Sequence, residues 1–232
     1  MRLDKYLAHA GVGTRKEVKK LIRSKAVTVN GEVVRNDDYK IDETRDEVFV
    51  YDEPIFYQEF YYVMLNKPAG YISATMDDRD PTVLDLIYED FAYSLFPVGR
   101  LDKDTEGLLL LTNDGALAHN LLSPKKHVDK EYYVELSKEY SDEDVLKLES
   151  GIILNEEEIC KEAKVERIDD TSMYLTIQEG KFHQVKRMMH AISNEVFYLK
   201  RIRMGTLVLD ESLDLGEYRM LNAEEIASLK GE

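Results

Sequence analysis

The sequence predicts an α+β protein in two parts: a small basic module, then a larger domain on a mixed, largely antiparallel sheet. Three observations carry this. Helical and strand-like segments alternate irregularly rather than as repeated strand–helix–strand units, which favours α+β over a doubly wound parallel sheet. Asn30-Gly31 stands between two β-branched runs, the strongest short-range signal for a two-residue hairpin. Charge is also divided unevenly. Residues 1–35 hold nine Lys/Arg against three Asp/Glu, although the 232-residue chain carries a net charge of −15.

Leu3, Leu7 and Ala10 recur at helical spacing, and Gly11 and Gly13 end that helix. Thr14 with Glu17 makes a capping box that opens a second helix. Val18, Leu21 and Ile22 form its apolar stripe, with Lys16, Lys19, Lys20 and Arg23 on the other face. Hairpin strands follow over 27–29 and 33–34, and a third strand over 48–51. Residues 52–58 read as a linker, which divides the chain into 1–58 and 59–232. Beyond it, strands are expected over 61–65, 108–111, 131–136 and 173–178. Helices are expected over 82–88, 116–122 and 183–192, with two more capped by Ser141/Asp144 and Asn222/Glu225.

Composition narrows the class. Charged residues make up 33% and hydrophobic ones 44%, an ordinary globular mix. The single cysteine, Cys160, cannot form an internal disulfide, which fits a reducing cytoplasm. Residues 1–11 lack the basic and apolar regions of a secretory signal. The longest apolar run, 108–111, is too short to span a bilayer. A pI near 4.9 taken alone argues against a nucleic-acid partner. Salt, however, screens charges beyond about 10 Å at 0.1 M, so the local field decides. Residues 1–35 carry +6, leaving −21 for the rest. A second basic cluster comprises Lys181, Lys186, Arg187, Lys200, Arg201 and Arg203. The five histidines show no metal-ligand spacing, and no metal is expected.

The segment with most chemical content runs from Gly99-Arg100-Leu101-Asp102 through Gly107 and four leucines to Asn113-Asp114-Gly115. A carboxylate at the end of a buried strand is held rigidly enough to react. Arg100 and Lys103 attract the ionised form that nucleophilic or base chemistry requires. A lone loop aspartate is more often a cap or turn residue, and Asp102 in isolation would be read so. Asp102-x-Asp104-x-Glu106-Gly107 also matches the opening of a calcium-binding loop. Its last ligand would be Asn113, where a bidentate Glu is needed, and leucines fill the loop, so calcium is rejected. Lys130-Glu131-Tyr132 lies on a strand, where a tyrosine is usually half-buried packing, though an aromatic face is what an unstacked base needs. Residues 179–188 open a helix. Gly180 there permits close backbone approach, and a helix N-terminus attracts phosphate.

Residues 2–34, with their helix, glycine stop, basic second helix and Val-x-Val-Asn-Gly hairpin, resemble the S4 RNA-binding fold. The string from Gly99 to Gly115 resembles the signature of pseudouridine synthases that act on ribosomal RNA. With residues 179–188 it resembles the small-subunit, RsuA-type branch, and the likeness covers nearly the whole chain. The resemblance implies that Asp102 is the catalytic aspartate and that Tyr132 stacks on the target base. It also implies that one basic residue of the 179–188 motif pairs with Asp102. Alignment on His183-Gln184 puts Lys186 there, with Arg187 a rival. Arg100, Arg187, His183 and Gln184 are then expected to hold the extruded nucleotide, and Leu175 and Ile177 to floor the site. Arg2, Arg15, Lys16, Lys19, Lys20 and Arg23 are expected to dock phosphates without reading sequence. Lys125, Lys126, His127 and Arg79 are further candidates for phosphate contact.

The implied function is isomerisation of one uridine in 16S ribosomal RNA to pseudouridine, in the cytoplasm. The expected partner is ribosomal RNA or the assembling small subunit, with no cofactor, no membrane and a monomeric enzyme. Two other readings stand beside it: a non-catalytic RNA-binding ribosome-assembly factor on the same fold, and an acidic scaffold for a protein partner. Tritium release from C5-labelled uridine separates all three.

Overall fold

The computed structural model describes residues 1–43, 45–155 and 158–231, with Asp90 as backbone only. Its contacts divide the chain into two compact units, Met1–Phe60 and Tyr61–Glu232. In the first, α1 (Leu3–His9) and α2 (Arg15–Arg23) pack on a four-stranded antiparallel sheet of order β2-β1-β3-β4, where β1 is Val27–Val29, β2 Glu32–Val33, β3 Val48–Val50 and β4 Glu53–Ile55. Both halves of the Thr14/Glu17 capping box are formed. Leu3, Leu7, Val18, Ile22, Val27 and Val48 make its core.

The two hairpins of this unit differ in how loudly the sequence announces them. Asn30 and Gly31 both take positive φ, as a two-residue turn matched to strand twist requires. Tyr51 and Asp52 do the same without glycine, at φ 49 and 66, so the second turn has no sequence signature. The segment expected as a linker is therefore the strand β4. Pro54 is tolerated there because β4 is an edge strand and needs no outward N–H.

The second unit is built on one nine-stranded sheet. Its path is β13-β5-β7-β11-β8-β10-β9, with β6 beside β7 and β12 beside β11. In chain order these strands are β5 (Tyr62–Lys67), β6 (Phe96–Pro97), β7 (Glu106–Thr112), β8 (Lys130–Leu136), β9 (Lys164–Arg167), β10 (Ser172–Ile177), β11 (Val196–Met204), β12 (Leu207–Val208) and β13 (Tyr218–Met220). Between them lie α3 (Gly115–Leu122), α4 (Asp142–Glu149) and α5 (Gln184–Ala191), and α6 (Ala223–Lys230) follows β13. Only β7 and β11 run parallel among the described pairs, so the sheet is mixed and largely antiparallel, as the sequence predicts. The helix expected over 82–88 is a single 3₁₀ turn, Val83–Leu86.

β7 explains the run of four leucines. Leu109 and Leu111 enter a core on one face of the sheet with Val134, Met173, Leu175 and Met188. Leu108 and Leu110 enter a second core on the other face with Leu117, Leu121 and Met204. Burying each is worth roughly 1.5–3 kcal/mol, so β7 is anchored from both sides. Gly107 begins this run at φ 97, and a Cβ there would lie 2.3 Å from the Arg201 carbonyl oxygen. The bare backbone lets β7 and β11 close on each other.

The sequence gives no sign of β11. Register shifts after Val196 and Arg201 break its two-residue period, and three of its nine residues are cationic. Two of those cations, counted in the second basic cluster of the sequence, do not face solvent freely. Arg201 is buried, and Arg203 pairs with Glu131 at 2.6 Å.

Candidate active site

The turn from Val98 to Thr105 carries Asp102 and is tied down at nearly every residue. Val98 N–H donates to the Leu110 carbonyl at 2.8 Å, which lays the turn along β7. Ser73 Oγ accepts from the Leu101 N–H at 3.0 Å and donates to its carbonyl at 2.9 Å. The fully buried Lys67 ammonium donates to the carbonyls of Pro68, Asp102, Lys103 and Thr105 at 2.8–3.3 Å. Burial pushes the Lys67 pKa down to about 8, against the attraction of Asp104, Glu106 and Asp102. Nothing in the sequence singles out Lys67 and Ser73, since a lysine closing a strand normally reaches solvent.

The Asp102 carboxylate is a quarter exposed and meets two groups from α5 and its N-cap. Lys186 Nζ stands 3.3 Å from Oδ2, and His183 Nε2 stands 3.6 Å from Oδ1. Lys186 also bonds Asp104 at 2.5 Å. Burial works to lower the Lys186 pKa, but its bond to Asp104 and the charge of Asp102 outweigh it and hold the ammonium above the ordinary lysine value. Lys103, expected to assist Asp102, turns away to Asp80 at 2.6 Å.

Asp102 opens onto a cavity of about 820 Å³, a volume of the size that holds small ligands. Tyr132, Lys130 and Arg201 line it from the sheet, and Arg100 and His183 from the loops. Register explains the sheet face: Tyr132 of β8 lies opposite Arg201 of β11, and Lys130 is two residues along the same strand. Phe182 is exposed at the cavity wall, its ring stacked on His183 with centroids 3.8 Å apart. Lys125 and Lys126 are exposed on the turn that follows Pro124, itself a lining residue.

Four expected assignments change. Arg187 is not beside Asp102: its guanidinium pairs with Glu158, because α5 turns the next residue after Lys186 by about 100° around its axis. It therefore also lies outside the nucleotide cavity. Gln184 is buried, accepting from the Lys181 N–H at 3.0 Å and donating to Glu179, so it braces the loop rather than lining the cavity. Leu175 and Ile177 are wholly core residues; the floor is Tyr132 with Lys130 and Arg201.

In the first unit the cations expected to meet phosphate fall into two groups. Arg2 forks onto Asp4 with two bonds of 3.0 Å, Lys19 reaches Asp37 at 3.2 Å, and Arg23 reaches the same carboxylate at 3.4 Å. Arg15, Lys16 and Lys20 are exposed and form no ion pair among the described residues. Arg2, Lys5, Arg15, Lys16 and Lys19 line a groove of about 600 Å³ beside Asp4.

A carboxylate held rigidly over an aromatic and cationic pocket, in a chain with a basic helix–hairpin unit, defines an enzyme of RNA. Residues 61–191 match the family described as RNA pseudouridylate synthase, and residues 1–48 match the S4 domain. The chain belongs to the RNA pseudouridylate synthase family. It is 52% identical to the uncharacterized RNA pseudouridine synthase YtzG of Bacillus subtilis, over 97% of each chain. It is 44% identical to ribosomal small subunit pseudouridine synthase A of Escherichia coli (strain K12), over 99% of this chain and all of that one. A crystal structure of a pseudouridylate synthase, 42% identical, superposes with a TM-score of 0.71 over 99% of each chain. Among the described residues no helix is long and apolar enough to cross a membrane.

Proposed function

We propose that this protein converts one uridine of small-subunit ribosomal RNA to pseudouridine, in the cytoplasm, with Asp102 as the catalytic residue. The observation that carries the reading is that Asp102 and Tyr132, remote in sequence, line one cavity, while Lys186 stands 3.3 Å from the Asp102 carboxylate. The RNA class is supported by relatives named for the ribosomal small subunit that match this chain end to end. The reaction breaks the N1–C1′ bond, turns the base and joins C5 to C1′. It consumes nothing, so it calls for no cofactor.

The residues divide the work. The target uridine must leave its stack, at a cost of a few kcal/mol. Tyr132 offers the extruded base an aromatic surface, and exposed Arg100 meets its phosphate at the cavity rim. Lys186 holds the Asp102 carboxylate in place for attack on C1′ or C6 or for removal of a ribose proton. Arg15, Lys16 and Lys20, with the groove beside them, supply phosphate contacts for docking.

A non-catalytic assembly factor would need the same RNA-docking unit but not this set around Asp102. The test is Asp102→Asn, which removes charge and keeps shape. Tritium release from C5-labelled small-subunit RNA should fall to background with RNA affinity unchanged. Release at the wild-type rate would remove Asp102 from the reaction.

A further inference from the structure

The cavity floor holds two buried cations, Arg201 and Lys130. Arg201 is 98% buried and spends one bond, from Nε to the Leu108 carbonyl at 2.8 Å, while its Nη2 has no partner. Lys130 is 93% buried and bonds only the Val128 carbonyl, at 2.9 Å. Among the described residues neither forms an ion pair. The carboxylates that line the same cavity are engaged elsewhere: Asp102 with Lys186 and His183, and Glu179 with Lys181, the Lys161 N–H and Gln184. Burial, and then the charge of Arg201, hold the Lys130 pKa below the ordinary lysine value, with Asp129 opposing. Placing two like charges on one face of a sheet, under a cavity and away from water, is costly unless an anion comes to them.

We infer that Arg201 and Lys130 form an electrostatic subsite for the uracil base itself, stabilising the negative charge the base acquires during isomerisation. The inference rests on the proposed reaction. Position selects the base over phosphate. Arg201 lies directly opposite Tyr132, the aromatic surface of the site, whereas Arg100 lines the cavity from its exposed side, open to a phosphate from solvent.

The chemistry does not depend on the route Asp102 takes. If the N1–C1′ bond breaks first, its electron pair goes to the base, giving uracilate with charge on O2, N1 and O4. If Asp102 adds to C6 first, the displaced pair becomes an enolate on O4. In either case the N1–C1′ bond breaks and C5 joins C1′, the C5 proton leaves to solvent and N1 takes one up, and Asp102 leaves the carbon it had bonded, with C5=C6 re-forming where that carbon was C6, so atoms and electrons balance. A neutral uridine gains little from the two cations and the anionic base gains much. That difference between ground state and transition state is what accelerates a reaction.

The experiment compares single-turnover rate at saturating small-subunit RNA with RNA affinity for Arg201→Gln, Arg201→Lys and Lys130→Met. Arg201→Gln should slow the chemical step about a hundred- to a thousandfold, the loss typical of removing a preorganised oxyanion donor. Its RNA affinity should stay within about threefold, well under the tenfold of one ordinary contact. Arg201→Lys should recover much of the rate, because charge rather than packing is the requirement. Added guanidinium should partly restore Arg201→Ala, a rescue that a purely structural role would not give. Wild-type rate at saturation combined with weaker RNA binding would assign the cations to a phosphate and overturn the inference. Should Arg201→Gln fail to fold, Lys130→Met decides on the same criterion, and full rate overturns it. A wild-type protein that makes no pseudouridine would instead sink the reading beneath.

Discussion

Lys67 ties the stability of the Asp102 turn to pH in a direction opposite to the usual one. Its ammonium is fully buried, bonds four carbonyls and titrates at about 8 rather than 10.5. For a base whose folded pKa is depressed, the folded chain sheds its proton first. Between about pH 8 and 10.5 the unfolded chain binds more protons, and stability rises with pH. Below that window both states are protonated and the fold bears the whole penalty. At 1.36 kcal/mol per pKa unit this is on the order of 3 kcal/mol. Relative to Lys67→Met, the wild type should therefore gain on the order of 1 kcal/mol between about pH 7 and 9, and roughly twice that by pH 10. The catalytic rate should move the other way. A neutral amine has two hydrogens for four carbonyls, so the Asp102 turn loosens as pH passes about 8. Urea denaturation of the Tyr61–Glu232 unit and single-turnover tritium release, both against pH, read the two effects. A stability difference that is flat in pH, or identical rate profiles for the two proteins, would refute the reasoning.

Lys186→Met should cut the single-turnover rate at least about tenfold with RNA affinity little changed, since it removes the ammonium 3.3 Å from Asp102. Arg187→Met, which breaks only the Glu158 pair, should keep the rate; the reverse pattern would exchange the two roles. Deleting Met1–Phe60 should weaken RNA binding and flatten its dependence on salt by about 0.7 for each phosphate no longer neutralised. An unchanged salt slope would rule out docking by that unit.

What the sequence shows and hides follows from the physics of each residue. Thr14/Glu17, Ser141/Asp144 and Asn222/Glu225 are local devices, and all three capping boxes form where expected. The leucine run gives β7 because four consecutive buried positions fit a strand covered on both faces. β4 was hidden by a turn without glycine, and β11 by bulges and by charges that read as surface. Asp102 and Tyr132, which line the cavity, lie in contiguous motifs that the family resemblance singles out. Arg201, Lys67 and Ser73 were not legible, because their meaning is burial, which only the folded sheet assigns. The choice between Lys186 and Arg187 needed the helix axis, since adjacent helical residues face different ways.

The place of β11 in the sheet has a consequence for synthesis on the ribosome. Strands β5 and β7, made early, pair with each other, and β8, β10 and β9 pair among themselves, but among the described residues no strand pairing joins the two groups until residues 196–204 slide between them. Asp102 precedes a strand of the first group, and Tyr132 lies on the second. A nascent chain therefore exposes a finished N-terminal unit, whose pairings are local, long before it owns a working centre. The growing protein can meet RNA from its first sixty residues onward, yet acquires chemistry only when the last strand of the sheet's middle arrives.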